Sequence, residues 1–243
     1  MGISAVITDL HSNYHALQAV MAEIEAHGCD EILCLGDIAG YGAQPVEVIR
    51  LVQEKEARCI QGNHDSLITL QNEGINYSSV SLIAAEHNRR LLGRSELEFL
   101  ANLPLELEGQ QRSLLIHGSP DYQDTYLINE AQIGVAALEV MDRLGPGLCF
   151  FGHTHVPAFH DGRSHVFNTG DIYRCNPEAR VMVNPGSVGQ PRDGDPRASY
   201  VLWDRDGGTI RLMKAEYDVE SARQTILDAG LPKILGDRLL RGH

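Results

Sequence analysis

Seven side chains at the ends of short apolar runs could together bind metal ions. They supply carboxylates, imidazoles and one amide oxygen: Asp9, His11, Asp37, Asn63, His117, His153 and His155. This mixture suits borderline divalent ions such as manganese, iron, zinc or nickel. Seven ligands are too many for one ion. The set therefore predicts two ions about 3.5–4 Å apart that share one carboxylate, an arrangement suited to in-line displacement at phosphorus.

The stretch at residues 60–65 (Ile-Gln-Gly-Asn-His-Asp) is central to this prediction. It crowds an amide, an imidazole and a carboxylate after an apolar run, and such groups need hydrogen bonds or a metal to offset their loss of hydration. Taken alone, the stretch is typical of an ordinary turn. Four other apolar runs end in a similar way, at Asp9, Asp37, His117 and His153. Because sites in open α/β sheets form outside the carboxyl ends of the strands, we expect all five ends to converge.

The elements that must position these residues begin with alternating strands and helices. Residues 3–8 predict a strand, and residues 13–26 a helix with one apolar face formed by Leu17, Val20, Met21 and Ile24. A buried strand follows at residues 32–35, and Pro45 opens a second helix with Val48, Ile49 and Val52 inward.

Residues 66–110 leave this alternation and predict a helical insertion near the site. Within it we expect helices at 79–92 and 95–102, the second opened by a capping box of Ser95 and Glu98. Beyond it the pattern predicts a strand at 112–116, an amphipathic helix at 129–143 and a buried strand at 148–151.

The remaining residues predict short antiparallel strands and a last helix. Strands are expected at 166–167, 181–183, 200–203 and 210–213, and the helix at 220–229. No linker or low-complexity tract divides the chain, so residues 1–243 are interpreted as one domain. Two sheets packed back to back, with helices outside, would account for this α/β pattern.

Composition narrows the class of partner. A formal charge of −13 over 243 residues argues against a nucleic-acid polymer as a standing partner, although small phosphorylated molecules are compatible with it. The five cysteines form an odd set without a C-x-x-C pair, and we expect reduced thiols. No signal segment or membrane-length apolar run is present, so the prediction is a cytoplasmic protein without a membrane partner. A homo-oligomer is compatible with the sequence.

The five strand ends resemble, in chain order, the five sequence blocks of the calcineurin-like metallophosphoesterases: D-x-H, G-D, G-N-H-[DE], H and G-H-x-H. The resemblance implies an αββα four-layer sandwich. It also implies one ion held by Asp9, His11, Asp37 and His155, and another held by Asp37, Asn63, His117 and His153, with Asp37 bridging. The later loop at residues 184–189 (Asn-Pro-Gly-Ser-Val-Gly) is similar to the small bacterial phosphodiesterase branch.

One block departs from a branch of that superfamily. Its Ser/Thr protein phosphatases carry G-D-x-x-D-R-G, whereas residues 36–42 read Gly-Asp-Ile-Ala-Gly-Tyr-Gly. The missing Arg argues against phosphoprotein substrates, because Arg is the preferred bidentate partner of phosphate. The missing Asp leaves His64 without the family's orienting carboxylate.

The function that we predict is a phosphodiesterase for a small phosphorylated or nucleotide substrate, with attack by a metal-bridging hydroxide. Manganese is the favoured ion. Asp37 would bridge the ions, and His64 would stabilise or protonate the leaving oxygen. The alternatives are a phosphomonoesterase, a dinucleoside-polyphosphate hydrolase and a non-catalytic scaffold. His64 argues against the scaffold, which has no need of an acid there.

Three further features are candidates for the pocket. Tyr41 and the insertion at 66–110 could form its walls. Arg192 and Arg197 lie in a Gly/Pro-rich loop that could bring a cation to the substrate, although a plain turn is the favoured interpretation.

Overall fold

The computed structural model describes residues 2–176 and 178–243. Twelve strands form in this part of the chain: β1 (Ile3–Ile7), β2 (Glu31–Cys34), β3 (Arg58–Cys59), β4 (Glu106–Glu108), β5 (Leu114–Ile116), β6 (Gly147–Phe150), β7 (Ala158–His160), β8 (Ser164–His165), β9 (Ile172–Arg174), β10 (Arg180–Asn184), β11 (Ala198–Asp204) and β12 (Thr209–Ala215). Eight α-helices accompany them: α1 (Tyr14–Ala26), α2 (Pro45–Glu54), α3 (Asn63–Ile68), α4 (Ser79–Leu91), α5 (Arg94–Ala101), α6 (Glu130–Leu144), α7 (Val219–Asp228) and α8 (Lys233–Leu239).

The strands form two mixed sheets of six strands each. The first has the order β3-β2-β1-β11-β12-β9, and the second has the order β4-β5-β6-β10-β7-β8. Strands β1, β2 and β3 are parallel, as are β5, β6 and β10. Parallel strands of one sheet end at the same edge, so the polar residues that follow them are brought together there.

The two sheets pack face to face, and alternate residues of a strand serve opposite faces. In β1, Val6 belongs to the apolar cluster between the sheets, which also contains Phe150 and Trp203. Ala5 and Ile7 point to the other side, toward the helices. Each of these five side chains is at least nine-tenths buried. Full burial of a Val or Ile side chain is worth about 1.5–3 kcal/mol, so the alternation fixes the register of the strand.

Helices cover both outer faces. Leu17 and Val20 of α1 and Val48 of α2 pack against the first sheet. Ile133 and Val140 of α6 pack against the second sheet. The predicted αββα four-layer sandwich is confirmed, as are the inward faces of α1 and α2.

A smaller apolar cluster fixes the end of the chain. Leu235 and Leu239 of α8 pack with Ile226 of α7, Ala84 of α4 and Tyr41. The sequence predicted α7 but not α8. The α8 segment has only seven residues, a length at which local periodicity is a weak signal.

Several predicted elements differ in the structure. Residues 166–167 are not a strand, because Val166 is 78% exposed and offers no buried face. The capping box of Ser95 and Glu98 is wrong: α5 begins at Arg94 after Gly93, and Glu98 pairs with Arg94 at 2.6 Å. The insertion is not helical to residue 110, because β4 joins the second sheet at its edge and pairs with β5.

None of the helices in the described ranges is long and apolar enough to cross a bilayer.

Candidate metal centre

The predicted ligands follow strand ends at one edge of the sandwich. Asp9 and His11 come after β1, Asp37 follows β2, Asn63 begins α3 after β3, His117 follows β5, and His153 and His155 follow β6. All seven are buried. The topology therefore brings the whole predicted set together from five separate segments of the chain.

The backbone turns sharply at these strand ends. Five of the residues have positive φ angles in the left-handed region: Asp9, His11, Asp37, His153 and His155. Their φ angles run from 44° to 68°. Residues other than Gly seldom adopt this conformation, although Asp and His tolerate it better than most. Such strain persists only where the surroundings enforce it, and it is concentrated at functional sites.

Four of the side chains form a first group: Asp9, His11, Asp37 and His155. One potential ligand atom of each lies within 4.8 Å of the others. The Nε2 atoms of His11 and His155 are 3.0 Å apart. His155 Nε2 lies 3.4 Å from Asp9 Oδ1, and His11 Nε2 lies 3.5 Å from Asp37 Oδ2. The atoms converge on a common point, as the ligands of one ion would.

A second group contains Asp37, His117 and His153, with ligand atoms again within 4.8 Å of one another. His117 Nε2 lies 3.4 Å from Asp37 Oδ2 and 3.0 Å from Asn63 Oδ1. Asp37 belongs to both groups. The first group has the four members of the first predicted set, and the second group has three of the four members of the second. The assignment of individual residues to individual ions stays a prediction.

In both Asp9 and Asp37, hydrogen bonds occupy one carboxylate oxygen and leave the other free for a cation. Asp9 Oδ2 accepts hydrogen bonds from the Thr8 hydroxyl at 2.9 Å and the His153 amide at 3.1 Å. Asp37 Oδ1 accepts from the His64 amide at 2.8 Å. The opposite oxygens, Asp9 Oδ1 and Asp37 Oδ2, are buried and have no hydrogen-bond partner. A buried oxygen without a partner is costly, and a cation in each group would satisfy it, so the residues present fit a pair of divalent ions.

Backbone carbonyls orient the imidazoles. His117 Nδ1 lies 2.7 Å from the Leu35 carbonyl, and His155 Nδ1 lies 2.6 Å from the Gln190 carbonyl. A carbonyl can only accept, so each Nδ1 donates its hydrogen and leaves the Nε2 lone pair for a metal. Carbonyls carry no sequence signature, and this support was not predicted.

The pKa values of the imidazoles depend on burial and on Asp37. Burial lowers the pKa of His155 well below its usual value and lowers the pKa of His153 to about 3, which keeps both rings neutral. Burial also lowers the pKa of His117, but Asp37 overrides that effect and raises it to about 10. Without a cation, a proton on His117 therefore balances Asp37. A bound ion would take over that role.

Asp65 supports the site without joining it. Its carboxylate accepts hydrogen bonds from the amides of Ile38 (3.3 Å), Ala39 (3.0 Å) and Gly62 (3.0 Å). These amides belong to the turn after Asp37 and to the start of α3, so Asp65 clamps the two segments together.

Tyr77, which lies in the predicted insertion, orients the Asn63 amide. The Asn63 Nδ2 group donates to the Tyr77 hydroxyl at 2.7 Å, and that hydroxyl donates to Asp124 Oδ1 at 2.9 Å. With its nitrogen held in this way, Asn63 presents Oδ1 to His117. Tyr77 was not predicted individually, because nothing in its local sequence marks the contact.

Tyr77→Phe should weaken the binding of the ion that Asn63 would hold. Loss of an outer partner of a ligand typically costs about 10–100-fold in metal affinity or activity. Calorimetric titration of the chelated protein with Mn²⁺ would measure it, with Tyr122→Phe as the control, because Tyr122 is 73% exposed. Equal affinities in the wild type and the Tyr77 variant would contradict this role.

Aromatic rings surround His64 where the family's carboxylate is missing. The ring centroid of His64 lies 4.5 Å from that of Tyr41, 4.9 Å from that of His11 and 5.6 Å from that of Tyr77. His64 Nδ1 is buried without a hydrogen-bond partner. Packing, rather than a carboxylate, therefore fixes this ring. Burial lowers its pKa, although Asp37 opposes that effect.

A cleft of about 460 Å³ opens beside the second group, at His153 and Asn63. Its walls include Asn63, His64 and His153 from the centre, the rings of Tyr41, Tyr77 and Tyr126, and the cations Arg192 and Arg238. Tyr41 and the insertion thus contribute walls, as expected.

The two arginines of the Gly/Pro-rich loop have different environments. Arg197 forms an ion pair with Asp195 at 2.6 Å, and that hydrogen bonding lowers the pKa of Asp195 to about 2. Arg192 has no carboxylate partner among the described residues, and it lies in the cleft wall. Only Arg192 is available to a ligand. Arg238 was not considered from the sequence, because α8 was not predicted.

Comparisons with known proteins give consistent matches. A model described as the calcineurin-like phosphoesterase superfamily domain matches residues 1–208. An uncharacterised protein of Methanocaldococcus jannaschii is 35% identical over 247 residues, with 98% of each chain covered. The crystal structure of a metallophosphoesterase from Sphaerobacter thermophilus aligns with a TM-score of 0.86 at 33% identity, covering 100% of this chain and 99% of that one.

A third relative matches only in part. The symmetrical bis(5'-nucleosyl)-tetraphosphatase of Actinobacillus pleuropneumoniae is 29% identical over 146 residues, which are 55% of this chain and 52% of that protein.

Proposed function

The chain belongs to the calcineurin-like phosphoesterase superfamily, and on that premise we propose that it is a dinuclear metal-dependent phosphodiesterase for small phosphorylated molecules or nucleotides. The position of Asp37 supports this proposal most strongly. Its Oδ2 atom is buried, has no hydrogen-bond partner, and lies within 3.5 Å of an imidazole nitrogen of each group. Two ions that share a ligand need a carboxylate placed between two sets of ligands, as Asp37 is here.

In this proposal Asp9, His11, Asp37 and His155 would hold one ion, and Asp37, Asn63, His117 and His153 the other. When bound, two divalent ions supply a water of lowered pKa and positive charge against the phosphoryl oxygens. We propose manganese as the native ion, because the mixed nitrogen and oxygen ligands suit it.

His64 acts on the leaving group. It borders the cleft beside Asn63, and neither group of potential ligands includes it. With its pKa lowered by burial, the neutral ring can donate an N–H hydrogen bond to the leaving oxygen. The negative charge that develops on that oxygen in the transition state strengthens this hydrogen bond. Full transfer of a proton requires the imidazolium form of the ring, which the nearby Asp37 carboxylate favours.

His64→Ala should lower kcat by about 10²–10⁴-fold, which is the range typical of general acid catalysis. The metal content should not change. KM should change little, because the interaction is made only in the transition state. The loss should be smaller for a nitrophenolate leaving group, which departs without a proton, than for an alkoxide.

Steady-state kinetics on both substrate types, together with metal analysis, would test this role. Equal losses on the two substrates would instead indicate stabilisation of the phosphoryl group. Loss of metal would make His64 a ligand.

Two features bear on the substrate. The turn after Asp37 lacks the Asp-Arg pair of the protein phosphatases, which disfavours phosphoproteins. The net charge of −13 disfavours nucleic-acid polymers, and small molecules remain the partner that we propose.

A dinucleoside-polyphosphate hydrolase is the second candidate. It is favoured by the partial match to a bis(5'-nucleosyl)-tetraphosphatase and by the aromatic rings and arginines of the cleft. A phosphomonoesterase is the remaining alternative.

A panel of substrates separates these candidates. Manganese-loaded protein would be assayed with p-nitrophenyl phosphate, bis(p-nitrophenyl) phosphate and diadenosine tetraphosphate, and the metal content would be measured on the same sample. We expect the diester to have a higher kcat/KM than the monoester. The reverse order would contradict a phosphodiesterase, and no turnover with two metals bound would favour the scaffold.

A further inference from the structure

We infer that the cleft beside the metal centre binds a second phosphate of the substrate between Arg192 and Arg238. The substrate would then carry at least one phosphate besides the one that is cleaved. This inference rests on the proposed function and narrows its substrate class to molecules with a phosphate chain, such as nucleoside polyphosphates.

Arg192 is held at the rim of the centre. Its backbone amide donates to the carbonyl of the candidate ligand His155 at 3.1 Å. Its guanidinium lies 5.7 Å from the centroid of the Tyr41 ring and donates to the Gln190 side-chain oxygen at 3.1 Å. These neutral partners position the group, and no described carboxylate forms an ion pair with it.

Arg238 lies on a different element, the helix α8. Its neighbours in α8, Leu235 and Leu239, are buried in the small apolar cluster with Tyr41, which fixes the helix. The Arg238 side chain lines the cleft and makes no ion pair with any described residue. The two segments also touch, because the Gly194 amide donates to the Gly242 carbonyl at 2.9 Å.

Neither arginine forms an ion pair with a described carboxylate of the cleft wall. Asp124 also lines it, but one carboxylate oxygen accepts from Tyr77 at 2.9 Å and the other from Asn72 at 3.2 Å. The chain has 33 acidic residues against 20 basic ones, yet these two arginines face the cavity without an ion-pair partner among the described residues.

Phosphate is the ligand that these features favour. The planar guanidinium fork matches phosphate oxygens in a bidentate manner. In the proposed function the cleaved phosphate lies on the metal ions, so the arginines are available for another one. The three tyrosine rings and a volume of about 460 Å³ leave space for an aromatic group such as a base.

ADP and AMP are a matched pair of probes, since they differ by one phosphate. Calorimetry on manganese-loaded protein should show tighter binding of ADP than of AMP. Arg238→Gln and Arg192→Gln should reduce that preference by about 10–100-fold, the range expected when a hydrogen bond to a charged group is lost. Arg241→Gln is the control, because Arg241 is exposed and does not line the cleft.

Kinetics provide a second test. The ratio of kcat/KM for diadenosine tetraphosphate to that for bis(p-nitrophenyl) phosphate should fall in both arginine variants and stay at the wild-type value in Arg241→Gln. Equal binding of ADP and AMP by the wild type, or an unchanged preference in both variants, would overturn the inference. If the wild type cleaved neither substrate, the proposed function would fail, and the calorimetry would still decide whether the second phosphate is bound.

Discussion

Asp37→Asn should remove both metal ions and activity together. Among the described residues, Asp37 is the one carboxylate that belongs to both groups of potential ligands, and the substitution replaces its anionic oxygen with a neutral amide. The loss of rate should exceed the roughly 10²–10⁴-fold expected from loss of general acid help, because the chemistry of both ions is lost at once.

Metal content per chain and kcat/KM would be measured on the same preparation, with thermal unfolding to confirm the fold. Asn63→Ala is the matched comparison, since it should mainly empty one site. An Asp37→Asn protein that retained two metals per chain would show that the bridging assignment is wrong.

Chelation should abolish hydrolysis, and manganese should restore it. The ligand set depends on cations to satisfy two buried carboxylate oxygens, so the protein treated with EDTA should be both inactive and less stable. Saturation of one site at 100 times its Kd adds about 2.7 kcal/mol of stability. For a chain of this size, each kcal/mol corresponds to about 2–4 °C in Tm, so each ion should raise Tm by roughly 5–11 °C.

Activity and Tm would be recorded before EDTA treatment, after dialysis, and after addition of Mn²⁺, Mg²⁺ or Zn²⁺. The order of recovery would identify the preferred ion. Full activity in thoroughly metal-free protein would end the dinuclear hypothesis.

The sequence predicted the layers of the fold and the convergence of the site, because both follow from strong local patterns. Val6 between Ala5 and Ile7 shows the alternation of a strand buried on both faces. Asp9 and Asp37 stand out because each ends an apolar strand with a charge. The family model over residues 1–208 confirms the resemblance that the five blocks indicated.

The features that were missed depend on contacts between distant segments. Asn63 is recognisable from its neighbours, but its partner Tyr77 lies 14 residues away in the segment between α3 and α4. The carbonyls of Leu35 and Gln190 orient two imidazoles, yet every residue has a carbonyl. Arg238 reaches the cleft because Leu235 and Leu239 are buried in a cluster with Tyr41. This is a tertiary contact, which the local sequence does not reveal. Local patterns thus identify ligands, whereas the support around them requires the fold.

The Asp65 clamp has a consequence for how such an enzyme could change its substrate. Because the Asp65 carboxylate accepts hydrogen bonds from the turn after Asp37 and from the start of α3, the positions of Asp37 and His64 are coupled. Mutations that shift one would displace the other, so the chemical step tolerates little variation. The opposite cleft wall, with Arg192 and Arg238, lies on other segments outside that clamp. Evolution or a laboratory selection for new substrates should therefore accumulate its changes in that wall, while the residues around Asp65 are retained.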